Sequence, residues 1–208
     1  RYQSEGEDGL REFEANYIRP LTPEWFVRAS AGIFEEMYGG VAVETLFRPY
    51  AQNWAVGVNM NHVRQRDFDQ QFPFRHYQLT TGHLTFYQRL YPLSIESELS
   101  VGRYLAGHVR GTISMARVFD SGARIGVFAT KTDVSSEEFG EGSFDKGFFF
   151  SMPFDLFLPK STRSSIGLNF RPLTRDGGQK VSDGWRLFDA TSDRDFLEIV
   201  RTRGAMMD

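Results

Sequence analysis

Residues Trp54–Asn61, WAVGVNMN, alternate without a break. Trp54, Val56, Val58 and Met60 fall on one side of an extended chain, and Ala55, Gly57, Asn59 and Asn61 on the other. Successive side chains of a strand point to opposite faces, so the stretch predicts a strand with one apolar and one polar side. Alternation alone leaves open whether the apolar row turns into a dry core or out toward lipid.

The same pattern recurs in both directions. Upstream, Trp25–Ile33 sets Trp25, Val27, Ala29, Ala31 and Ile33 against Arg28, Ser30 and Gly32. Val41–Arg48 sets Val41, Val43 and Phe47 against Glu44 and Arg48, and Leu10–Arg19 is extended up to Pro20. Downstream, Phe74–Leu90 is a long strand in which Gly82 marks a candidate bulge. Leu93–Tyr104, Val109–Phe119, Ala123–Asp133 and Ser164–Arg171 follow with the same alternation. Ser135–Leu158 joins a glycine-rich acidic loop to an aromatic strand, Lys146–Leu158. Trp185–Asp189 reads as a last strand. Ser192–Arg203 reads as a short amphipathic helix, with Ser192 as its cap and arginines in its last turn.

Short turns (PLTPE, PYAQN, YP, DSG, PKSTR) are expected at every second junction and longer loops at the others, with LAGH the shortest of the long set. These features predict an all-β chain: an antiparallel up-and-down transmembrane β-barrel of about 10–12 strands with a short C-terminal helix. Residues 1–191 form the barrel domain and 192–208 the tail. The polar row then lines a lumen, with Glu44, Arg48, Asn59, Asn61, Glu96, Glu98, Arg124, Asn169 and Arg171 as candidates, and Gly57, Gly82, Gly102, Gly126 and Gly167 on the same face. Glu137, Glu138, Glu141 and Asp145 are candidate loop residues. Trp25, Trp54, Tyr17, Tyr91, Phe119, Phe157 and Trp185 suit interfacial girdles. Loops Arg64–Pro73, Val134–Asp145 and Pro172–Gly184 are expected outside the barrel or folded in as a plug.

Composition narrows the function classes. A net charge of −3 gives no global electrostatic case for nucleic acid. There is no cysteine for disulfides or thiolate chemistry. Mean hydropathy is −0.39, compatible with a barrel because only alternate residues face lipid. No apolar run reaches the roughly 18–20 residues of a membrane helix. The opening residues, RYQSEGEDGLREF, lack the apolar core of a signal peptide, so the chain is expected to be part of a longer precursor.

Candidate chemistry is sparse. His62, His76, His83 and His108 lack the spacings of a metal motif, and neither metal nor cofactor is expected. His83 with Ser100 or Ser114 imitates the Ser–His set of an outer-membrane phospholipase without its local motif. Glu137, Glu138 and Glu141 imitate paired glycosidase acids, but acids in a glycine-rich loop are ordinarily solvated. The chain is predicted not to be an enzyme. Two alternatives stay open. A soluble β-sandwich carbohydrate-binding module would bury the apolar row and leave the charges in water. A barrel enzyme acting on lipid or glycan would converge His or carboxylate groups in the lumen.

Five segments carry a resemblance: SAGIFEEMYGG (30–40), QRDFDQQF (65–72), SVGRYLAG (100–107), VSSEEFGEGSFDKGF (134–148) and FRPLTRDGGQ (170–179). They resemble the YjbH family of exopolysaccharide biosynthesis proteins, from about Tyr17 to Asp189. The resemblance implies an outer-membrane β-barrel protein with two barrel regions in one long chain, this one the C-terminal portion. It implies a location in the outer membrane, lipid around the barrel, an extracellular polysaccharide as cargo, and periplasmic or lipoprotein components and an upstream barrel of the same precursor as partners. The family offers no catalytic residues to carry over.

Overall fold

The computed structural model describes residues 9–70, 72–91, 93–105, 107–119, 121–131, 144–154, 165–170, 179–182 and 184–192. Ten strands run in chain order: β1 Phe13–Pro20, β2 Trp25–Ile33, β3 Tyr38–Phe47, β4 Trp54–Arg66, β5 Phe74–Leu90, β6 Ile95–Arg103, β7 Val109–Val118, β8 Arg124–Lys131, β9 Phe144–Pro153 and β10 Ser165–Phe170. Each pairs antiparallel with the next, in a single sheet ordered β1 to β10. The chain is all-β and up-and-down, as expected. No pairing joins β1 to β10 among the described residues. Among the described residues one short helix, α1, spans Leu187–Ala190.

The sheet has its faces reversed relative to a soluble sandwich. On the apolar row Val43 is 55%, Met60 52% and Leu99 57% exposed. On the polar row Arg28 is 2%, Glu44 7% and Asn61 1% exposed. The Trp54 row therefore points outward, and the sandwich alternative, which needs the opposite, fails at this observation. Register makes the outer face continuous. Trp25, Phe47, Val56, Phe86, Leu99 and Ile113 are successive cross-strand partners from β2 to β7. At the end of the sheet that carries the β1–β2 and β3–β4 turns, Trp25 lies 4.9 Å from Phe47, and Phe47 lies 5.9 Å from Trp54.

The inner face is covered by residues 179–182 and 184–192. They complete two apolar clusters near its two ends. Leu187 and Phe188 join Phe26, Leu46, Ala55 and Tyr87. Val181 joins Phe34, Ala42, Val63, Leu79 and Leu105. Between the clusters the face is polar.

Several local expectations are corrected. Trp185–Asp189 is not a strand: among the described residues no neighbour pairs with it, and Leu187–Ala190 coils into α1. Gly82 lies opposite Met60 on the outer face, and its register runs through unbroken. The irregularity of the β4–β5 pair falls between Arg64 and Arg66 instead. Asp145 is not a loop residue: it sits buried in β9 opposite Thr130. Ile33 is buried rather than outward; it follows Gly32, whose φ of 148° departs from the other β2 residues and where a Cβ would meet the Phe13 carbonyl oxygen. The contrast between short turns and long loops is weaker than expected. The β2–β3 connection is 34–37 and the β6–β7 connection 104–108, as short as 21–24 and 91–94 at the other end, while 154–164 at that other end is longer than 67–73 and nearly as long as 132–143. The tail helix expected at Ser192–Arg203 lies outside the described residues, apart from Ser192.

Candidate functional site: a charged strap across the polar face

The polar face is organised by the segment that crosses it. At one end the Leu105 N–H donates to the Gln179 carbonyl at 3.1 Å. Lys180 Nζ donates to the Ser100 hydroxyl at 2.8 Å and stands 3.6 Å from Glu98. Arg186 reaches Glu98 at 2.9 Å and Asp189 at 2.9 Å. Glu44 receives the Leu187 N–H at 3.1 Å and Arg28 Nε at 3.0 Å. That carboxylate therefore sits at the N-terminus of α1, where amides have no intrahelical acceptor and negative charge is favoured. Arg48 closes the far end, donating to the Thr191 carbonyl at 2.5 Å and to its hydroxyl at 3.0 Å. The Phe188 ring stacks on Tyr87 at 4.0 Å, and the Arg48 guanidinium lies 4.4 Å from its centroid.

A second network adjoins the first. Glu96 pairs with Arg89 at 2.8 Å and with Arg124, and Arg124 is 3.8 Å from Asp189. Burial alone would raise the Asp189 carboxyl. The charge and hydrogen bond of Arg186, with Arg124 and Arg48 behind, outweigh burial and hold it below its ordinary value. Burial lowers the Lys180 ammonium, partly offset by Glu98. Arg186 is pushed up against burial by Glu98 and Asp189, so it stays charged.

Between the strap and β6–β10 remains a cavity of about 650 Å³. Its charged lining is balanced: Glu96, Glu98 and Asp189 against Arg124, Lys180 and Arg186. Thr112, Ser114, Thr130 and Ser151 add hydroxyls, Asn169 an amide, and Phe128 and Phe149 ring faces. Such a lining can hydrogen-bond and stack against a polyhydroxylated, uncharged ligand. It has no excess charge to select an ion.

Of the expected lumen residues, Glu44, Arg48, Glu96, Glu98 and Arg124 converge on the strap. Asn61 is buried and donates to Thr81 at 3.3 Å. Asn59 borders a smaller cavity of about 80 Å³ beside Lys180 and Arg186. Asn169 is exposed at the rim of the larger cavity. Arg171, Glu137, Glu138 and Glu141 lie outside the described residues. Sequence reasoning missed Lys180, Arg186 and Asp189 as site residues, because they sit in a segment assigned to a loop and a strand. It also missed Arg28 and Arg89, although both stand on a polar row. Their acidic partners, Glu44 and Glu96, are set by register. The Ser–His arrangement is not assembled. Ser100 is fully enclosed, and among the described residues neither His83 nitrogen has a hydrogen-bond partner. His83 instead stands edge-on to the Tyr104 ring at 4.7 Å.

Comparison with known proteins adds a lineage. Residues 1–193 match the family model YjbH, described as exopolysaccharide biosynthesis protein YbjH. The chain is 42% identical over 189 residues to the lipoprotein YjbH of Escherichia coli (strain K12). That match covers 89% of this chain and 27% of the relative, so the chain spans about a quarter of that protein's length. No solved structure matches.

Proposed function

Because this chain belongs to the YjbH family of exopolysaccharide biosynthesis proteins, we propose that its sheet is the wall of an outer-membrane β-barrel, and that its polar face guides an extracellular polysaccharide during export or surface assembly. The observation that carries this reading is the reversed burial of the two faces. Val41, Val43, Val58, Met60, Leu84, Leu99, Val101, Ile113, Met115 and Val127 form one outward surface. Burying such a side chain is worth roughly 1.5–3 kcal/mol, so in water the surface forgoes on the order of ten kcal/mol or more. In hydrocarbon it costs nothing. The edges of β1 and β10 require closure, since unpaired backbone groups are not tolerated in lipid. Further strands of a longer chain supply it in this reading. The strap is the plug, and the cavity beside it is the part of the lumen that a glycan enters. Periplasmic or lipoprotein components receive or deliver the polymer at the barrel mouth.

Two experiments separate the claims. The chain is expected to fold only in detergent or lipid and to run as a compact, heat-modifiable band on a gel; a monomer folded in plain buffer contradicts the membrane reading. Deleting the gene is expected to reduce surface polysaccharide, with recovery on complementation. Undiminished polymer on the deletion strain rules out the export role and leaves the membrane reading standing.

A further inference from the structure

Two phenylalanines and two glycines share the inner face of β8 and β9. Gly126 stands opposite Phe149, and Phe128 opposite Gly147. Each ring leans across the strand gap over the glycine that faces it. The Phe149 ring takes the place of a Cβ on Gly126, and Cε1 and Cζ of Phe128 lie 2.7 Å from where a Cβ on Gly147 would sit. A side chain at either glycine would displace the ring, so the two glycines make room for the two rings. The phenylalanines are diagonal neighbours on adjacent strands, roughly 7–8 Å apart at the backbone.

Both rings are half-buried and line the cavity of about 650 Å³. Neither joins the apolar clusters that the strap completes with Val181, Leu187 and Phe188. Covering a glycine explains why a ring lies against the sheet. It does not explain ring surface left open to a polar cavity. Polar side chains stand around that surface. Ser114 is the cross-strand partner of Phe128, Asn169 that of Phe149, and Ser151 follows Phe149 by two residues on the same face. Among the described residues these three make no side-chain hydrogen bond. Thr112 and Thr130, by contrast, bond to each other at 2.7 Å. The charged groups of the cavity are engaged with one another: Arg124 with Glu96, Lys180 with Glu98, and Arg186 with Glu98 and Asp189.

We infer that Phe128 and Phe149 form the stacking floor of a subsite for a neutral hexopyranose unit, with Ser114, Ser151 and Asn169 placed to take its hydroxyls. A pyranose of the gluco configuration presents a face of C–H groups and a rim of hydroxyls. The C–H face suits the negative face of an aromatic ring, and the rim needs donors and acceptors around it. The cavity falls within the roughly 300–1,000 Å³ of small-molecule sites. A sugar acid would have to take a cation away from Glu96, Glu98 or Asp189, and a charge left unpaired in an interior is costly. The inference rests on the reading above that the polar face meets a glycan, and adds which units it takes and where.

The test is calorimetric titration of the full chain folded in lauryldimethylamine oxide, a detergent without a sugar headgroup, with cellohexaose and with hexagalacturonate. Wild type is expected to bind cellohexaose roughly tenfold more tightly than the acid. F128L/F149L keeps apolar bulk and removes both rings. It is expected to run as the same heat-modifiable band and to bind cellohexaose roughly tenfold more weakly, whereas F128Y/F149Y keeps the affinity. Equal affinity of wild type and F128L/F149L overturns the site, as does tighter binding of hexagalacturonate or no binding of cellohexaose by folded wild type. Undiminished polymer on the deletion strain beside ring-dependent cellohexaose binding overturns the export reading and supports the site. A wild type that does not fold in the detergent overturns the membrane reading, and the site with it.

Discussion

Glu44 is held from two directions. Arg28 approaches from the neighbouring strand and the Leu187 amide from the strap. Removing the carboxylate by Glu44→Ala leaves Arg28, 2% exposed, without this counter-ion, a loss of about 3–5 kcal/mol for a buried pair. Glu44→Gln keeps an acceptor for the amide and is expected to cost less. The double variant R28M/E44L, which removes both charges, is expected to recover most of the loss. Urea midpoints in detergent read all three; a double variant as unstable as Glu44→Ala would show that the pair itself is not what Glu44 supplies. At this scale the sequence was half legible. Alternation places Arg28 and Glu44 on the polar side of their strands. That they face each other depends on the β2–β3 register, set by a turn whose geometry the residue pattern does not specify.

The strap was the least legible element. Trp185 and Leu187 do alternate with Arg186, which suggests a strand. The segment coils because its partners are side chains far away in sequence: Glu44 at its first amides, Arg48 at its last carbonyl, and Tyr87 beneath Phe188. Tertiary partners override a weak local preference. The same partners make docking sensitive to pH. Asp189 is held below its ordinary value of 3.8, so its contribution is complete above that value and is lost as pH falls through the lower folded one. Lys180 is lowered from 10.5, so its contribution grows as pH rises from the lowered value toward 10.5. Docking is therefore expected to hold from neutral pH upward and to loosen in acid, below about 3.8. With W25F and W54F leaving Trp185 as the sole tryptophan, its fluorescence should report an acid transition that Asp189→Asn flattens. Because the Asp189 side chain is 47% exposed, the effect is modest and screened by salt. An acid transition of the same size in Asp189→Asn would assign it to the strand carboxylates instead.

At the scale of the whole molecule the strand order and the two faces were legible, and the direction of each face was not. Hydrophobic alternation is the same signal whether the apolar row packs into a core or meets lipid. What fixes the direction is the company of the other row: Arg28, Glu44, Arg48, Glu96 and Glu98 find partners only across a covered interior. Leu99 provides the sharpest check, since it is 57% exposed in the middle of the outward row between Phe86 and Ile113. In water, an exposed leucine replaced by arginine changes stability by roughly 0.5 kcal/mol or less. At the middle of a lipid-facing barrel wall the same change costs about 2–4 kcal/mol, and near the interface about 0–1. Leu99→Arg is therefore expected to lower folding stability in vesicles by several times more than Thr80→Arg, which alters an outward, exposed position of β5 six residues nearer the 67–73 connection than Phe86, the partner of Leu99. Equal small effects at the two positions would mean that the outward row meets water, however apolar it is. A steep difference would mean that depth matters, and depth exists only if a membrane surrounds the sheet.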